Sequence, residues 1–481
     1  MKKNNTTGRR QFIRNSALTA AAFTIVPRHV LGGRGFIAPS DKLAIAAIGV
    51  GGKGIDDINH ILMSPHAQIS YLCDVDDRQA VDARKKLPKA KYYKDWRQLF
   101  EREASHFDAV MVTTPDHNHA VITMGAMELG KHAYTQKPLT HDVYEARMLA
   151  KGAEKYRVVT QMGNQGSSGD DTRKVEAWVQ AGLIGEIRRV HCWTNRPVWP
   201  QGLPWPARRD QVPAGLDFDL WLGTAEKTNY FKELLPFNWR GWVDYGTGAL
   251  GDMACHIVDV PFRALQLGYP SEVECSIGSV FSDFFVEGYF PKSFPPSSIV
   301  HFLFPARGNQ PPVELSWYAG GVLPKRPAEL LPDEPMGTWD GGVIFEGTKG
   351  KIMTGMWGLE PTLLPTSRMK EVNLPAPTRP LVPGGVEGHQ RQWVEACLKG
   401  FGAPVSSPFS EAGPLTETVL MGVLAIRSAT YREPGNTSPH PVYPGRKKLL
   451  WNGEDMRIMN FDYANQFVKR NYRQGWALRE P

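Results

Sequence analysis

The feature that most constrains the fold is a short apolar run that ends in a glycine-rich turn and continues as a helix, "KLAIAAIGVGGKGIDDINHILM", residues 42–63. The run from Leu43 to Ile48 predicts a buried strand, and the glycines after it form a G-x-G-x-x-G pattern. In this context a dinucleotide pyrophosphate can approach the backbone and accept hydrogen bonds from the helix N-terminus. We therefore predict a dinucleotide-binding loop; the alternative is a glycine-rich turn without a ligand. The predicted contacts in the loop are Gly49, Gly51, Gly52, Lys53 and Gly54.

The alternation of strand and helix continues beyond this loop. The β-rich runs "AQISYLCDVD" and "FDAVMVTTPD" are separated by the helix-like segments "RQAVDARKKLP" and "WRQLFEREA", and the pattern continues to "VVTQMGNQ". Strands that alternate with helices indicate a parallel sheet covered on both faces. The predicted fold class is α/β, with an N-terminal doubly wound Rossmann domain over residues 41–168.

Side chains that follow the predicted strands complete the expected cofactor site. Asp74 lies 25 residues past Gly49, at the end of the second strand, where a carboxylate accepts hydrogen bonds from a ribose diol and repels a 2′-phosphate. NAD is therefore favoured over NADP, although Lys53 and Arg78 would weaken that preference. Thr114, Pro115 and His119 follow the third long strand, at the edge where ligands bind.

The later part of the chain has a different pattern of predicted secondary structure. Extended, partly alternating segments are joined by Pro- and Gly-rich loops, and two helical segments precede a polar and aromatic tail. We predict a C-terminal α/β domain with a large, mainly antiparallel open sheet over residues 169–434, and a tail, residues 435–481, that packs on the body. An open sheet exposes unpaired edges and faces, so we expect a homo-oligomer formed through this sheet.

The N-terminus carries almost all of the excess positive charge. The net charge is +7, and the first 33 residues contain six basic residues and no acid, so the remainder is close to neutral. This gives no electrostatic reason to expect a nucleic-acid partner. Arg9, Arg10 and Phe12, followed by an apolar stretch that ends at Pro27, resemble a twin-arginine export signal over residues 1–33. The apolar stretch is short for a membrane span, so a leader is favoured over a membrane anchor. The resemblance to an export signal predicts a periplasmic or otherwise exported protein. The alternative is an ordinary amphipathic N-terminal helix.

Two further motifs show to which family the chain is similar. "TQKPLTH" places Lys137 and Pro138 at the end of a short strand, and "GALGDMACHIVDV" places Asp252 and His256 on one helix face. With the glycine loop and Asp74, these motifs resemble the Gfo/Idh/MocA oxidoreductase family over about residues 41–430. The family's E-K-P motif falls on Gln136, Lys137 and Pro138, and its G-x-x-x-D-x-x-x-H motif begins at Gly248. Gln136 departs from the family pattern, because an amide replaces the usual glutamate.

The resemblance implies roles for the two motifs. His256 would be the base that takes a proton from a sugar hydroxyl as hydride leaves the same carbon for NAD, and Lys137 would stabilise the developing alkoxide or act as the base itself. Asp252 would bind a neighbouring hydroxyl or hold the histidine. Without the resemblance, His256 would be a packed core histidine. We predict no metal, because neither Asp252 with His256 nor His117 with His119 has enough ligands.

Aromatic and polar residues indicate a carbohydrate substrate. Indole rings pack against the apolar faces of a sugar, and amide and guanidinium groups bind its hydroxyls. The predicted substrate contacts are Asn164, Trp193, Arg196, Trp239, Arg240 and Tyr245, with Gln165 near the cofactor. The alternative for each tryptophan is the core. Three functions remain open: an NAD-dependent sugar or glycoside dehydrogenase, a glycosidase that oxidises its substrate transiently and recycles NAD internally, and a non-catalytic NAD- and sugar-binding protein.

Overall fold

The computed structural model describes residues 37–38, 41–433, 435 and 441–481. The predicted export signal, residues 1–33, lies outside the described residues. Among the helices that are described, none is both long enough and apolar enough to cross a membrane.

The first domain is built on a six-stranded parallel sheet with the order β3-β2-β1-β4-β5-β6, which confirms the predicted Rossmann topology. Its strands are β1 (Leu43–Ile48), β2 (Ala67–Cys73), β3 (Lys91–Tyr93), β4 (Ala109–Val112), β5 (His132–Gln136) and β6 (Thr160–Gly163). Its helices are α1 (Lys53–Ile61), α2 (Val81–Lys86), α3 (Trp96–Glu103), α4 (His119–Glu128) and α5 (Val143–Tyr156).

Alternate side chains of β1 enter two different cores. Ile45 and Ala47 belong to a cluster that contains Ile58 of α1, whereas Ala46 and Ile48 belong to a cluster on the opposite face of the sheet. Since successive side chains of a strand point to opposite faces, both faces of this sheet are covered. An apolar run such as "LAIAAI" is the sequence that this environment requires.

The second domain contains a nine-stranded sheet with the order β15-β14-β13-β7-β12-β11-β8-β16-β17. Its strands are β7 (Ile187–Thr194), β8 (Glu272–Ile277), β11 (Ser298–Phe304), β12 (Val313–Ala319), β13 (Gly341–Gly347), β14 (Gly350–Gly355), β15 (Thr362–Leu364), β16 (Leu449–Asn452) and β17 (Arg457–Ile458). A separate hairpin is formed by β9 (Phe281–Asp283) and β10 (Val286–Glu287). Within the large sheet, β7 and β12 pair in parallel and the other neighbours pair antiparallel, as predicted.

The later helices connect this sheet to the first domain. They are α6 (Asp170–Gln180), α7 (Phe218–Leu222), α8 (Gly248–Ile257), α9 (Asp259–Ala264), α10 (His389–Lys399) and α11 (Phe409–Ala429). Trp393 of α10 packs against Tyr134 of β5, with ring centroids 5.6 Å apart, and the Met162 N–H of β6 donates to the Ser407 carbonyl. Two domains joined in this way form a cleft at the carboxyl ends of β1, β2, β4 and β5.

Candidate active site

A cavity of about 440 Å³ lies at the carboxyl edge of the parallel sheet, where open α/β sheets bind their ligands. It extends from the glycine loop and Asp74, past the end of β4, to Lys137 and Asp252. Predicted residues that line it are Gly49, Gly51, Gly52, Lys53, Asp74, Thr114, Pro115, Lys137, Trp239, Arg240 and Asp252. The cavity therefore brings the predicted cofactor loop together with two of the three predicted catalytic residues.

The glycine loop is shaped as a cradle for a group that approaches the backbone. Gly54 packs beneath the loop, where a Cβ atom would lie 2.0 Å from the Gly49 carbonyl oxygen, so a larger residue would displace the loop. The Gly54 N–H donates to the Gly51 carbonyl at 2.8 Å, directly before α1 continues. The loop and the N-terminus of α1 together fit a pyrophosphate.

Asp74 connects the glycine loop to the end of β2. Its carboxylate accepts hydrogen bonds from the Val50 and Asp76 N–H groups, each at 2.9 Å. Burial raises the pKa of Asp74 to about 6, although those two N–H groups oppose the shift. The carboxylate is fixed at the cavity wall, which is the position expected for a group that binds a ribose diol.

The two cations near this position are already paired. Arg78 donates through Nε and Nη2 to Asp76, at 2.8 Å and 2.6 Å. Lys53 contacts Asp56, and its Nζ lies 3.4 Å from Asp57 Oδ1. Gln165, with its amide oriented to satisfy both neighbours, accepts from Lys53 Nζ at 3.2 Å and donates to the Gly163 carbonyl.

Thr114 and His119 have different roles in the wall after β4. The Thr114 hydroxyl is buried without a hydrogen-bond partner and its residue lines the cavity, so a bound dinucleotide would supply the missing partner. The two ring nitrogens of His119 lie 2.8 Å from the Pro138 carbonyl oxygen and 2.7 Å from that of Thr114. Burial lowers the pKa of His119 to about 4. His119 therefore links the wall to the lysine segment and does not itself line the cavity.

Lys137, Asp252 and Arg240 form a charged cluster at the other end of the cavity. Lys137 Nζ donates to the Asp252 carbonyl oxygen at 2.7 Å and to its Oδ1 at 3.0 Å, and Arg240 Nε donates to the same Oδ1 at 3.2 Å. Burial alone would raise the pKa of Asp252, but the charges of Lys137 and Arg240 outweigh it and lower that pKa to about 2. Asp252 is therefore an anion that orients the lysine.

His256 is held as a neutral imidazole with a defined tautomer. Its Nδ1 lies 2.9 Å from Asn164 Oδ1, Asn164 Nδ2 donates to Ser167 Oγ, and Ser167 Oγ donates to Asp259. Because an amide oxygen only accepts, His256 Nδ1 carries the proton and Nε2 keeps its lone pair. Burial, reinforced by the charge of Lys137, lowers the pKa of His256 well below its ordinary value. Asn164 therefore positions the imidazole ring of His256 and fixes its tautomer.

Gln136 is explained by a carboxylate on α1. Its Nε2 donates to both oxygens of the fully buried Asp57, at 3.0 Å and 2.8 Å, and Gln390 Nε2 donates to Oδ1 of the same carboxylate. Burial raises the pKa of Asp57, and Lys53 opposes this shift. A glutamate at position 136 would place a second carboxylate against Asp57, whereas an amide donates to it.

The predicted substrate residues divide into two groups. Trp239 and Arg240 line the cavity, and the Arg240 guanidinium lies 4.3 Å from the Trp239 ring centroid. Arg196 Nη1 pairs with Asp340 Oδ1 at 3.0 Å, outside the cavity wall. Trp193 and Tyr245 do not line the cavity: each is buried in a packed aromatic or apolar cluster, Trp193 with Ile344 and Tyr245 with Trp221.

Several residues of the cavity wall were not predicted from the sequence, among them Asp116, Phe237 and Trp476. Asp116 follows Pro115 directly and accepts from Thr247 Oγ1 at 2.8 Å; burial raises its pKa to about 7, partly opposed by that hydrogen bond. An acid at the end of β4 was a usable signal. Phe237 and Trp476 also line the cavity, but no local pattern distinguishes them from core aromatics. His117 is buried against Trp221, and no cluster of three or more potential metal ligands occurs among the described residues.

Curated relatives match part of the chain. An alpha-N-acetylgalactosaminidase from Shewanella oneidensis is 30% identical over 186 residues, which cover 36% of this chain and 40% of the relative. A glycosyl hydrolase family 109 protein from Shewanella pealeana is 28% identical over 201 residues, 37% of this chain and 44% of that protein. The matched segment therefore spans less than half the length of these relatives.

Solved structures share the fold at low sequence identity. A levoglucosan dehydrogenase in complex with NADH and L-sorbose has a TM-score of 0.53 and 16% identity, covering 79% of this chain and 96% of that one. The WlbA dehydrogenase from Bordetella pertussis, in complex with NADH and UDP-GlcNAcA, has a TM-score of 0.52 and 15% identity, covering 79% and 95%.

Family models match consecutive parts of the chain. Residues 43–164 match the oxidoreductase family's NAD-binding Rossmann fold, and residues 173–276 match its C-terminal alpha/beta domain. The first segment contains the glycine loop, Asp74 and Lys137, and the second contains Arg240, Asp252 and His256. The chain therefore matches, in order, both domains of the Gfo/Idh/MocA oxidoreductase family within residues 43–276.

Proposed function

We propose that this protein oxidises a hydroxyl group of a sugar or glycoside, with NAD as the hydride acceptor. The observation that carries the proposal is the Lys137 and Asp252 pair at the end of a dinucleotide cleft, with a neutral His256 one helical turn beyond Asp252 on α8. His256 does not itself line the cavity, but its Nε2 keeps the lone pair that can accept a proton. Bound NAD supplies the electron-pair acceptor that the side chains lack. The two dehydrogenases above, which bind L-sorbose and UDP-GlcNAcA, and the two glycosidase relatives support a carbohydrate substrate.

The division of labour follows from charge. His256 takes the hydroxyl proton on Nε2, since its Nδ1 proton is held by Asn164. Lys137 stabilises the negative charge that develops on the substrate oxygen, and Asp252 orients the ammonium group. Trp239 and Arg240 offer a ring face and a guanidinium group to the sugar. The carbon loses a hydride to the cofactor and the hydroxyl oxygen loses a proton to His256, so the product is a carbonyl group.

The proposed cofactor is NAD, and NADP is disfavoured. A 2′-phosphate would meet the Asp74 carboxylate, and Arg78, the cation nearest in sequence, is already bound by both oxygens of Asp76. Accommodation of the phosphate would therefore require this ion pair to open.

The two glycosidase relatives favour a second candidate function. Oxidation of one sugar carbon to a carbonyl group makes the C–H bond on the neighbouring carbon acidic. A base can then remove that proton, and the glycosidic bond breaks by elimination. Addition of water and return of the hydride then complete a net hydrolysis. Asp116, whose pKa burial raises to about 7, lies on the same cavity wall and suits proton transfer near neutral pH.

One assay separates the candidates. Purified protein would be incubated with free sugars and with p-nitrophenyl glycosides, including the α-N-acetylgalactosaminide, while NADH absorbance and p-nitrophenol are followed together. We expect NADH or a keto-sugar in proportion to substrate from a dehydrogenase, and p-nitrophenol without net NADH from the glycosidase. A protein that retains dinucleotide but turns over neither class of compound would contradict the proposal.

The tautomer of His256 predicts a pH effect of Asn164→Asp. A carboxylate that accepts from Nδ1 favours the charged imidazolium and raises the pKa of His256. The neutral base is then lost as pH falls through the raised pKa, whereas the native histidine stays neutral because its pKa is lowered. We expect the ratio of kcat/KM at pH 6 to that at pH 8 to fall about tenfold in the variant, one unit of pKa being a factor of ten.

The control is Asn164→Ala, which removes the acceptor without adding charge and should lower both rates alike. In the native protein and in both Asn164 variants, the same charged groups act on His256, namely Lys137, Asp252, Lys53 and Arg196. Asp116 also titrates in all three proteins. The difference between their pH profiles therefore reports the substitution at position 164. Parallel pH profiles for the aspartate variant and the native protein would contradict the assignment of His256 as the base.

Two properties of the whole chain are also proposals. We propose export through the twin-arginine route, supported by Arg9, Arg10 and Phe12 and tested by fractionation of cells that express Arg9→Lys/Arg10→Lys. We also propose a homo-oligomer formed through the open sheet, on which Ile299, Leu303 and Tyr318 stay partly exposed; analytical ultracentrifugation would reveal a monomer if this is wrong.

A further inference from the structure

The C-terminal strap, residues 468–479, crosses the first domain and brings one aromatic side chain to the cofactor cavity. Trp476 is 7% exposed and lines this cavity together with Trp96 of α3, Ile122 of α4 and Asp74. It also lines a neighbouring cavity with Arg97, so its ring stands between the two. A segment far from the Rossmann fold in sequence thus completes the wall of the Rossmann site.

The strap is attached on both sides of the cleft. On the first domain, the Tyr144 N–H donates to the Val468 carbonyl at 2.9 Å, and the Tyr472 hydroxyl donates to Glu145 Oε1 at 3.0 Å. On the second domain, Arg473 donates to the Gly223 carbonyl and to Asp219 Oδ1, each at 2.8 Å. These contacts fix the segment that leads to Trp476, up to three residues before it.

The indole ring is itself held in place. The Arg97 guanidinium lies 4.2 Å from its centroid, and the Trp96 ring meets it edge to face at 6.5 Å. The ring is therefore a fixed wall of the cavity and needs no rearrangement to meet a ligand.

The position of Trp476 within the cavity identifies what it would contact. The pyrophosphate cradle follows β1, the ribose position is Asp74 after β2, and the reacting end is Lys137 after β5. Trp96, the neighbour of Trp476, begins α3 shortly after β3, which pairs with β2 on the side away from β1. Trp476 therefore lies between α3 and α4, and its contact with Trp96 places it toward the Asp74 side of the cavity, where we infer that the adenosine half of a dinucleotide binds.

We propose that Trp476 is an adenine-binding residue and that the strap retains the bound dinucleotide. Adenine presents a flat aromatic face, and base–aromatic contact is a strong, sequence-tolerant interaction. NAD and NADP have the same adenine, so the proposal holds for either cofactor. It concerns retention and does not depend on the sugar reaction.

The test is the rate at which labelled NAD leaves the loaded protein into an excess of unlabelled NAD. We expect Trp476→Ala to release NAD about tenfold faster, whereas Trp476→Phe, which keeps an aromatic face, should stay close to the native rate. Trp476→Leu keeps apolar volume without the ring and should also release faster, which preserves the test if the alanine variant folds poorly. Phe284→Ala is the control, because this aromatic side chain is 85% exposed between β9 and β10, away from the cavity.

Displacement by half-molecules locates the contact. In Trp476→Ala, nicotinamide mononucleotide should displace labelled NAD about tenfold more readily than from the native protein, because it never used the indole contact. ADP-ribose shares the adenine and loses the same contact, so its displacement of NAD should be unchanged. An unaltered release rate in the alanine and leucine variants, or equal effects on the two half-molecules, would overturn the proposal.

Discussion

Replacing Lys137 with alanine should lower turnover of the sugar substrate by about 10²-fold or more while the bound dinucleotide is retained. The Lys137 ammonium is the cation that Asp252 orients at 3.0 Å, at the end of the cavity where the substrate oxygen would develop charge. The glycine loop and Asp74 lie at the other end and keep their contacts. The measurements are kcat, from NADH absorbance and p-nitrophenol release, and the amount of dinucleotide released from denatured protein.

His256→Ala should lower turnover of the sugar substrate by a similar factor, because this substitution removes the proton acceptor. The double variant should lose much less than the product of the two single losses, since residues that act as a unit are not additive. Lys351→Ala is the matched control: its lysine also pairs with a carboxylate, Glu329 Oε2 at 3.0 Å, but belongs to β14. Normal turnover in Lys137→Ala or His256→Ala would remove that residue from the mechanism.

Local patterns predicted the first domain well. The strand Leu43–Ile48 occurs where it was predicted, followed by the glycine turn and α1. The reason is that a strand buried on both faces, a tight turn and an amphipathic helix each depend on neighbouring residues. Asp74 and Lys137 line the cleft for the same reason, because parallel strands end at one common edge.

Local patterns did not distinguish the aromatic residues of the core from those that line the cavity. Trp193 lies within β7 and Trp239 in a short helical turn of the second domain; Trp193 is packed against Ile344, whereas Trp239 lines the cavity. The difference depends on how long loops fold over the sheet, which sequence spacing does not encode. Trp476 is the extreme case, because it reaches the cleft only through a strap fastened at Tyr472 and Arg473.

Gln136 shows the limit of a motif comparison. The sequence revealed the missing acid of the family motif, but not the carboxylate that faces it. Asp57 lies 79 positions earlier, on α1, and accepts two hydrogen bonds from Gln136. A negative charge is thus present behind the lysine segment, supplied by a helix and not by the strand. Only the contact between the side chains of Asp57 and Gln136 makes this exchange visible.

Replacing Gly51 with leucine should abolish retention of the dinucleotide. A Cβ atom at this position would lie 2.6 Å from the Cβ of Gln79, so the loop or the Gln79 segment must shift. The rest of the leucine side chain would occupy the space through which a pyrophosphate approaches the backbone. Gly268→Leu is the control, because this glycine is exposed and a Cβ atom added to it would have no other atom within 4 Å. The measurement is dinucleotide per protein after purification, with thermal unfolding to verify the fold. Full NAD occupancy in a folded Gly51→Leu protein would show that the pyrophosphate does not bind at this loop.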